Sequence, residues 1–287
     1  MTGQDIVFAT CAMWPNVSTS DAHLADALRA LGHRVRGEAW NSAPVEAFTS
    51  ADMVVLRSNW DFHHDLDGFR TWLDALDASG VELRNSAGLV RAYLDKTYVT
   101  QVSNAGFRAP LTLITDDFDT AAIISWADGH GLDRVVVKPA WGASGHDVAL
   151  VDRGELAATV AQWAAKPDPR ALLIQEFIPQ ISNGEYAVVF FGGEFSHALL
   201  RSPVDDDFRV NSQYGGTTTL VKDIDPALLR FAASVEASLP EPATYARIDV
   251  VSDGSEHIVM EIEINEPGLG LDLAPESAER FATALLA

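Results

Sequence analysis

A predicted hairpin with four oxygen-donating side chains among its apolar residues constrains this chain more than any other segment. Arg247-Ile248-Asp249-Val250-Val251 is followed by Ser252-Asp253-Gly254 and then by Met260-Glu261-Ile262-Glu263-Ile264-Asn265-Glu266-Pro267. Alternating apolar residues on both sides of an Asp-Gly signal predict two antiparallel strands joined by a turn. Asp249, Glu261, Glu263 and Asn265 then stand among Val, Ile and Met, where a carboxylate without a partner is costly to bury. A bound cation resolves that conflict. Oxygen donors, with His257 at the turn as the one nearby nitrogen ligand, suit a hard ion such as Mg2+ or Mn2+ rather than zinc. The competing reading is an edge hairpin whose polar face is solvated.

The chain has 287 residues, 47% of them hydrophobic, enough for a sizeable core and two or three subdomains. Its formal net charge of -21 argues against a nucleic-acid partner or an anionic membrane surface, which need clustered Lys and Arg. No run approaches the roughly 18 apolar residues of a membrane span. The first residues lack a basic segment before their apolar stretch, so the expected location is cytoplasmic. A single cysteine, Cys11, excludes an intrachain disulfide and fits a reducing compartment. At the end of Ile6-Val7-Phe8-Ala9-Thr10 it reads as a packed residue rather than a nucleophile. Only 20 residues are Lys or Arg, and two of them interrupt apolar strand-like runs: Lys138 after Val135-Val136-Val137, and Arg201 after Ala198-Leu199-Leu200. A cation so placed needs an anionic partner, either an internal carboxylate or a phosphate ligand.

Periodicity predicts strands at 6–12, 33–38, 53–57 and 81–85 alternating with helices at 20–31 and 66–78, the pattern of a parallel α/β unit. A helix over 87–104 follows. Beyond it, strands at 134–139, 147–152 and 172–177 alternate with helices at 119–129 and 154–165. Antiparallel runs at 186–191, 194–202 and 217–221 then lead to the hairpin and to a last helix near 275–286. The predicted class is α/β (α+β), with units at 1–86, 87–178 and 179–287.

Several further segments bear on chemistry. Lys138-Pro139-Ala140-Trp141-Gly142-Ala143-Ser144-Gly145 runs a strand into a loop of small residues, where glycines let backbone amides approach phosphate oxygens beside a lysine. It lacks the spacing of a P-loop, and an ordinary hairpin loop looks similar. Leu172-Leu173-Ile174-Gln175-Glu176-Phe177-Ile178-Pro179, followed by Asn183-Gly184-Glu185, offers a strand exit able to meet a purine edge and ribose hydroxyls; a buried strand with a solvated exit is the alternative. The polar, glycine-terminated stretch from Asp205 to Gly216 reads as a functional loop or a plain surface loop. Arg57 and Asp61 follow a strand of the first unit, where ligands of open α/β sheets gather. Arg57 is suited either to hold a substrate carboxylate or to pair internally with Asp61 or Asp65.

Taken in order, these signals resemble the ATP-grasp superfamily from about residue 87 to the end, preceded by a Rossmann-like pre-ATP-grasp domain. The whole chain is similar to small amino-acid ligases of the D-cycloserine synthetase kind, a likeness carried by Leu56-Arg57-Ser58-Asn59-Trp60-Asp61-Phe62-His63, Phe69-Arg70-Thr71-Trp72-Leu73, Leu94-Asp95-Lys96 and Glu263-Ile264-Asn265-Glu266-Pro267. The resemblance implies an ATP-grasp fold with a central lid subdomain and a C-terminal antiparallel-sheet subdomain. Lys96 and Lys138 would hold the ATP phosphates under a lid containing Gly142, Ser144 and Gly145. Glu176, Phe177 and Ile178 would meet adenine, and Glu185 the ribose. Arg201 and Arg209 would face the transferring phosphate. Asp249, Glu263 and Asn265 would coordinate Mg2+ or Mn2+, and Arg57, Asp61, Glu266 and Gly268 would meet the substrate. Ligases of that kind carry an apolar residue at the position of Asn265, which leaves open whether Asn265 or Glu266 completes the metal set. The implied reaction is ATP-dependent formation of a C–N bond through an acyl phosphate, on a small amino-acid-like substrate and in a homodimer. Its most specific form closes O-amino-D-serine to D-cycloserine. An intermolecular amino-acid or dipeptide ligase and a small-molecule kinase are the alternatives.

Overall fold

The computed structural model describes residues 3–143, 145–166, 169–205 and 207–287. Its first unit contains β1 (Asp5–Thr10), α1 (Thr19–Ala30), β2 (Arg34–Ala39), α2 (Glu46–Thr49), β3 (Met53–Leu56), α3 (Leu66–Ser79) and β4 (Glu82–Arg84). The four strands pair in parallel in the order β2-β1-β3-β4. Ile6-Val7-Phe8-Ala9 and Met53-Val54-Val55-Leu56 are buried throughout, as central parallel strands covered on both faces must be. Capping sets the helix starts: Ser18 Oγ accepts the Asp21 N–H at 3.0 Å for α1, and Asp65 Oδ1 accepts the Gly68 N–H at 3.0 Å for α3.

Residues 87–104, predicted as one helix, form α4 (Ala87–Tyr93) and α5 (Val99–Asn104) with a 3-10 turn, Lys96–Tyr98, between them. The break has a local cause. Asp95 accepts the Thr97 N–H at 2.8 Å and starts the turn afresh.

The second sheet is antiparallel, built from β5 (Thr112–Thr115), β6 (Arg134–Pro139), β7 (Ala149–Asp152) and β8 (Leu172–Glu176) in the order β5-β8-β6-β7. The helices α6 (Thr120–Gly129) and α7 (Leu156–Ala164) cover it through Ile123, Ala127, Val160 and Trp163. The sequence reading omits β5, an edge strand whose four residues are all only half-buried and so carry a weak apolar signal.

The third sheet contains β9 (Glu185–Phe191), β10 (Glu194–Ser202), β11 (Thr217–Val221), β12 (Tyr245–Ser252) and β13 (His257–Glu263), all antiparallel in the order β11-β10-β9-β12-β13. The predicted hairpin is β12-β13, but it does not stand alone. Strand β12 lies between β9 and β13, and all of it except Ser252 is buried, so a solvated face is excluded there. Beneath the sheet lie α4, α5 and a helix absent from the sequence reading, α8 (Pro226–Glu236), although its Asp225 cap and Pro226 are ordinary start signals. The last helix, α9 (Ser277–Leu285), returns to the first unit beside α1 and stacks Phe281 on Phe191 at 4.4 Å. Among the described residues no helix is long and apolar enough to cross a membrane.

Register then decides which side chains meet. Arg247 pairs with Glu263, Asp249 with Glu261 and with Ala187, and Arg201 with Glu185. Because side chains alternate along a strand, Arg201, Glu185, Asp249, Arg247, Glu261 and Glu263 all project from one face of the third sheet. Val188, Phe190, Ile248 and Ile262 occupy the other face and form its core.

Candidate active site

That polar face, the end of β6 with its glycine loop, the start of α1 and the segment after β3 line a cavity of about 680 Å³. At its floor, one carboxylate oxygen each from Asp249, Glu261 and Glu263 lie within 4.8 Å of one another. Arg247 holds two of these groups. Its Nε and Nη2 donate to Asp249 at 2.8 and 2.7 Å, Nη2 also donates to Glu263 at 2.6 Å, and Nη1 reaches the Gly268 carbonyl at 3.0 Å. Lys96 donates to Glu261. Burial pushes the Glu261 carboxyl up, but Lys96 and Lys138 outweigh it and bring it down to about 2. Glu263 is raised, because burial and the charges of Glu261 and Asp249 exceed the pull of Arg247.

Asn265, which lines the same cavity two residues after Glu263, has its Oδ1 buried without a hydrogen-bond partner among the described residues. An oxygen so placed has lost water and gained no donor, which a coordinated cation would remedy. A carboxylate-and-amide set of this kind fits Mg2+ or Mn2+.

Lys138, on β6, makes no hydrogen bond or ion pair among the described residues, and burial followed by repulsion from Lys96 lowers it to about 8. It is a cation awaiting an anion. Arg201 is already engaged, at 2.9 Å from Glu185 and 3.3 Å from Asp249. Burial and the Asp249 charge nevertheless raise Glu185 to about 8.

The other residues anticipated from sequence are distributed as follows. Gly142, Gly145, Phe177, Ile178, Glu266 and Gly268 line the cavity. Glu176 lines it too, yet its carboxylate is taken by Arg108, 2.8 Å from each oxygen, and by the Leu111 N–H at 3.0 Å, so its backbone is what remains for a ligand. Arg209 folds back on Asp207 at 2.8 Å and over the Tyr214 ring at 3.6 Å. Arg57 is only 2% exposed and pairs with Asp21 at 2.8 Å, not with Asp61 or Asp65; its Nη2 also donates to the Pro267 carbonyl at 2.9 Å. Asp61 is not brought to the cavity: it accepts Trp40 Nε1 and Asn41 Nδ2, each at 2.8 Å. Ser144 lies outside the described residues, as does Asp206 of the 205–216 loop.

The glycine loop is held from two sides. Trp141 and Ala143 pack on the core of the first unit, with Arg70 over the Trp141 ring at 5.3 Å. From the other side Tyr214 Oη donates to the Gly145 carbonyl at 3.1 Å. Gly145 has φ 69°, and a Cβ there would meet Asn211 Oδ1 at 2.9 Å, so only glycine suits the position.

Three residues outside the sequence-derived site hold it together. Arg247 was legible as an alternate position two residues before Asp249. Asn85 was not: its amide donates to the Tyr245 and Ile264 carbonyls at 2.8 and 2.9 Å and accepts the Thr244 and Tyr245 N–H groups at 2.6 and 3.3 Å. Tyr245 Oη lies 2.8 Å from the Leu56 carbonyl and 3.0 Å from that of Asn265, joining the first unit to the candidate metal ligand.

Comparison with known proteins bears on both halves of this cavity. Residues 6–85 match the family model of the D-cycloserine synthetase DcsG N-terminal domain, and residues 95–272 match that of the prokaryotic glutathione synthetase ATP-grasp domain. The chain is 27% identical to the cycloserine biosynthesis protein DcsG of Streptomyces lavendulae over 279 residues, 91% of each chain. It is 28% identical to a glutathione synthetase of Bradyrhizobium diazoefficiens over 228 residues, 77% of this chain and 67% of that one. Its structure is similar to the crystal structure of D-cycloserine synthetase DcsG, with a TM-score of 0.85, 22% identity and 98% of each chain covered. It is also similar to D-alanine–D-alanine ligase from Bacillus anthracis, with a TM-score of 0.69, 15% identity and coverage of 99% and 96%. At these identities the structural likeness is one of fold.

Proposed function

The chain belongs to the ATP-grasp ligases and has their fold, and on that premise we propose that it joins a carboxylate to an amine on a small amino-acid-like substrate, with closure of O-amino-D-serine to D-cycloserine as its specific reaction. The observation that carries the specific reading is the match of residues 6–85 to the D-cycloserine synthetase N-terminal domain, since Asp21, Arg57, Trp60 and Phe62 of this unit line the same cavity as Lys138.

In this reading the substrate carboxylate attacks the γ-phosphorus of ATP, the bond to the β-phosphate oxygen breaks, and ADP leaves. The amine then attacks the acyl phosphate carbon, loses a proton and expels inorganic phosphate. Lys138 and Lys96 offset phosphate charge, and Arg201, already oriented by Glu185, faces the transferring group. Asp249, Glu263 and the orphaned oxygen of Asn265 would hold Mg2+, with Glu261 beside them. A divalent ion bound there supplies charge neutralisation to the phosphates. The glycine loop, docked through Trp141, Ala143 and Tyr214, would shield the acyl phosphate from water. The adenine contacts are assigned to the backbone near Phe177 and Ile178, and ribose to Glu185.

The test is ADP and phosphate release with ATP and Mg2+ across amino acids including O-amino-D-serine and D-serine, with product masses. Loss of one water from one amino acid identifies cyclisation. A mass of two amino acids less one water identifies an intermolecular ligase, and a stable phosphorylated product identifies a kinase. No amino-acid-dependent turnover refutes the proposal.

A further inference from the structure

Strict alternation along β13 would put Ile258, Met260 and Ile262 on one face and Val259, Glu261 and Glu263 on the other. The structure divides them differently. Ile258 and Met260 pack with Val251, whereas Val259 joins Ile262 and Ile264 in the core beneath the sheet. The cause is a β-bulge: Asp249 pairs with Glu261 but Val250 with Val259, so Met260 is one residue more than β12 has to match. In an unbulged ladder continued from Val250, Met260 would stand opposite Asp249, and Glu261 and Glu263 would turn to the core face. The bulge is therefore what delivers both glutamates to the carboxylate cluster.

Strand β13 lies at the edge of its sheet, so the N–H groups on its outer side have no neighbouring strand to bond. Two of them flank the bulge, and both are held from outside the sheet. The Val259 N–H donates to the Arg108 carbonyl at 2.8 Å, and the Ile262 N–H to Tyr98 Oη at 2.9 Å. Tyr98 is 5% exposed and ends the 3-10 turn that begins at Lys96. That turn has an anchor of its own, because the Lys96 N–H donates to the Ala140 carbonyl at 3.0 Å, just past the end of β6. One three-residue turn thus grips β13 twice: Lys96 on the Glu261 carboxylate, and Tyr98 on the backbone between Glu261 and Glu263.

We infer that Tyr98 is a positioning residue for the cation site, its hydroxyl fixing the bulged register that sets Glu261 and Glu263 beside Asp249. The inference rests on the cation site of the reading above and not on the identity of the substrate. Ile262 is 3% exposed, so without the Tyr98 oxygen its N–H is a buried donor with no acceptor, and that loss favours a shifted strand. The two glutamates that flank Ile262 move with it.

The experiment titrates wild type, Tyr98→Phe and Ile123→Val with Mn2+ in the presence of ADP, reading free Mn2+ by electron paramagnetic resonance. Phenylalanine keeps the ring and removes only the oxygen, while Ile123→Val is a packing loss on α6, in a separate core cluster. Tyr98→Phe should weaken Mn2+ binding about 10–100-fold, as loss of a group that orients metal ligands does, with Ile123→Val within about twofold of wild type. Hydrogen exchange at the Ile262 amide should be at least about tenfold faster in Tyr98→Phe than in either other protein. Equal weakening in both variants assigns the effect to general destabilisation and overturns the inference. Wild type that binds Mn2+ alongside an unaffected Tyr98→Phe sinks the inference alone, whereas wild type that binds no Mn2+ removes the cation site and the inference with it. Amino-acid-dependent turnover, measured separately, decides the ligase reading whichever of these is found.

Discussion

Replacing Arg247 with methionine should destabilise the protein far more without divalent cations than with them. Arg247 is 4% exposed and makes four hydrogen bonds, two to Asp249, one to Glu263 and one to the Gly268 carbonyl. Methionine keeps most of the stem volume but none of the donors. Asp249, fully buried, would keep only the longer Arg201 contact at 3.3 Å, and Glu263 would keep no ion pair among the described residues. Removing one partner of a buried ion pair costs about 3–5 kcal/mol, and that is the loss expected in EDTA. An ion among these carboxylates takes over the missing counter-charge, so the variant should bind Mg2+ more tightly than wild type. Each tenfold gain in affinity returns about 1.4 kcal/mol at saturating ion. Urea unfolding of both proteins, in EDTA and in millimolar Mg2+, reads this from midpoints at constant slope. The same loss in both conditions would refute a cation site at Asp249 and Glu263. A loss below about 1 kcal/mol in EDTA would refute the role of Arg247 as their internal counter-charge.

Asn85→Ala leaves two carbonyls and two N–H groups without their side-chain partner; at about 1–3 kcal/mol for each of the three short contacts, denaturant midpoints should report a loss of roughly 3–9 kcal/mol. Burial, then the neighbouring His64 and His146, lower His63 from 6.5 to about 4. The unfolded chain therefore binds more protons between those values, and stability present above pH 6.5 is lost as pH falls toward 4, by about 3 kcal/mol in all. Denaturation across that range should show a shallower pH dependence in His63→Gln than in wild type, and equal slopes would contradict the assignment. Lys138→Ala removes a cavity cation that makes no hydrogen bond or ion pair among the described residues; the KM for ATP should rise at least about tenfold in a steady-state assay, and an unchanged value would argue against a phosphate role.

Much of the site was legible because oxygen donors in an apolar strand are conspicuous. Asp249, Glu261 and Glu263 need only the two-residue strand period to be placed on one face, and register then brings them together. Lys138 was conspicuous for the same reason, as a cation in an apolar run. Asp61 and Arg57 show where such reasoning stops. Both are polar residues at the end of a central strand, but Asp61 turns to Trp40 and Asn41, while Arg57 finds Asp21 on α1, 36 residues earlier. Sequence spacing carries no information about which distant donor arrives first.

The order of strands and helices in the first unit, the antiparallel character of the closing hairpin and the presence of an oxygen-rich site were determined by local pattern: periodicity, turn chemistry and the cost of burying unpaired charge. Tertiary structure decided which of those charges remain available. Arg247, Arg201 and Lys96 neutralise the carboxylates around them, Arg108 takes the Glu176 side chain, and Asn85 and Tyr245 join segments more than 150 residues apart. These pairings depend on three-dimensional proximity within a low-dielectric interior, where a charge is strongly coupled to its nearest partner. Only once they are known does it emerge that Lys138 lines the cavity with no hydrogen bond or ion pair among the described residues.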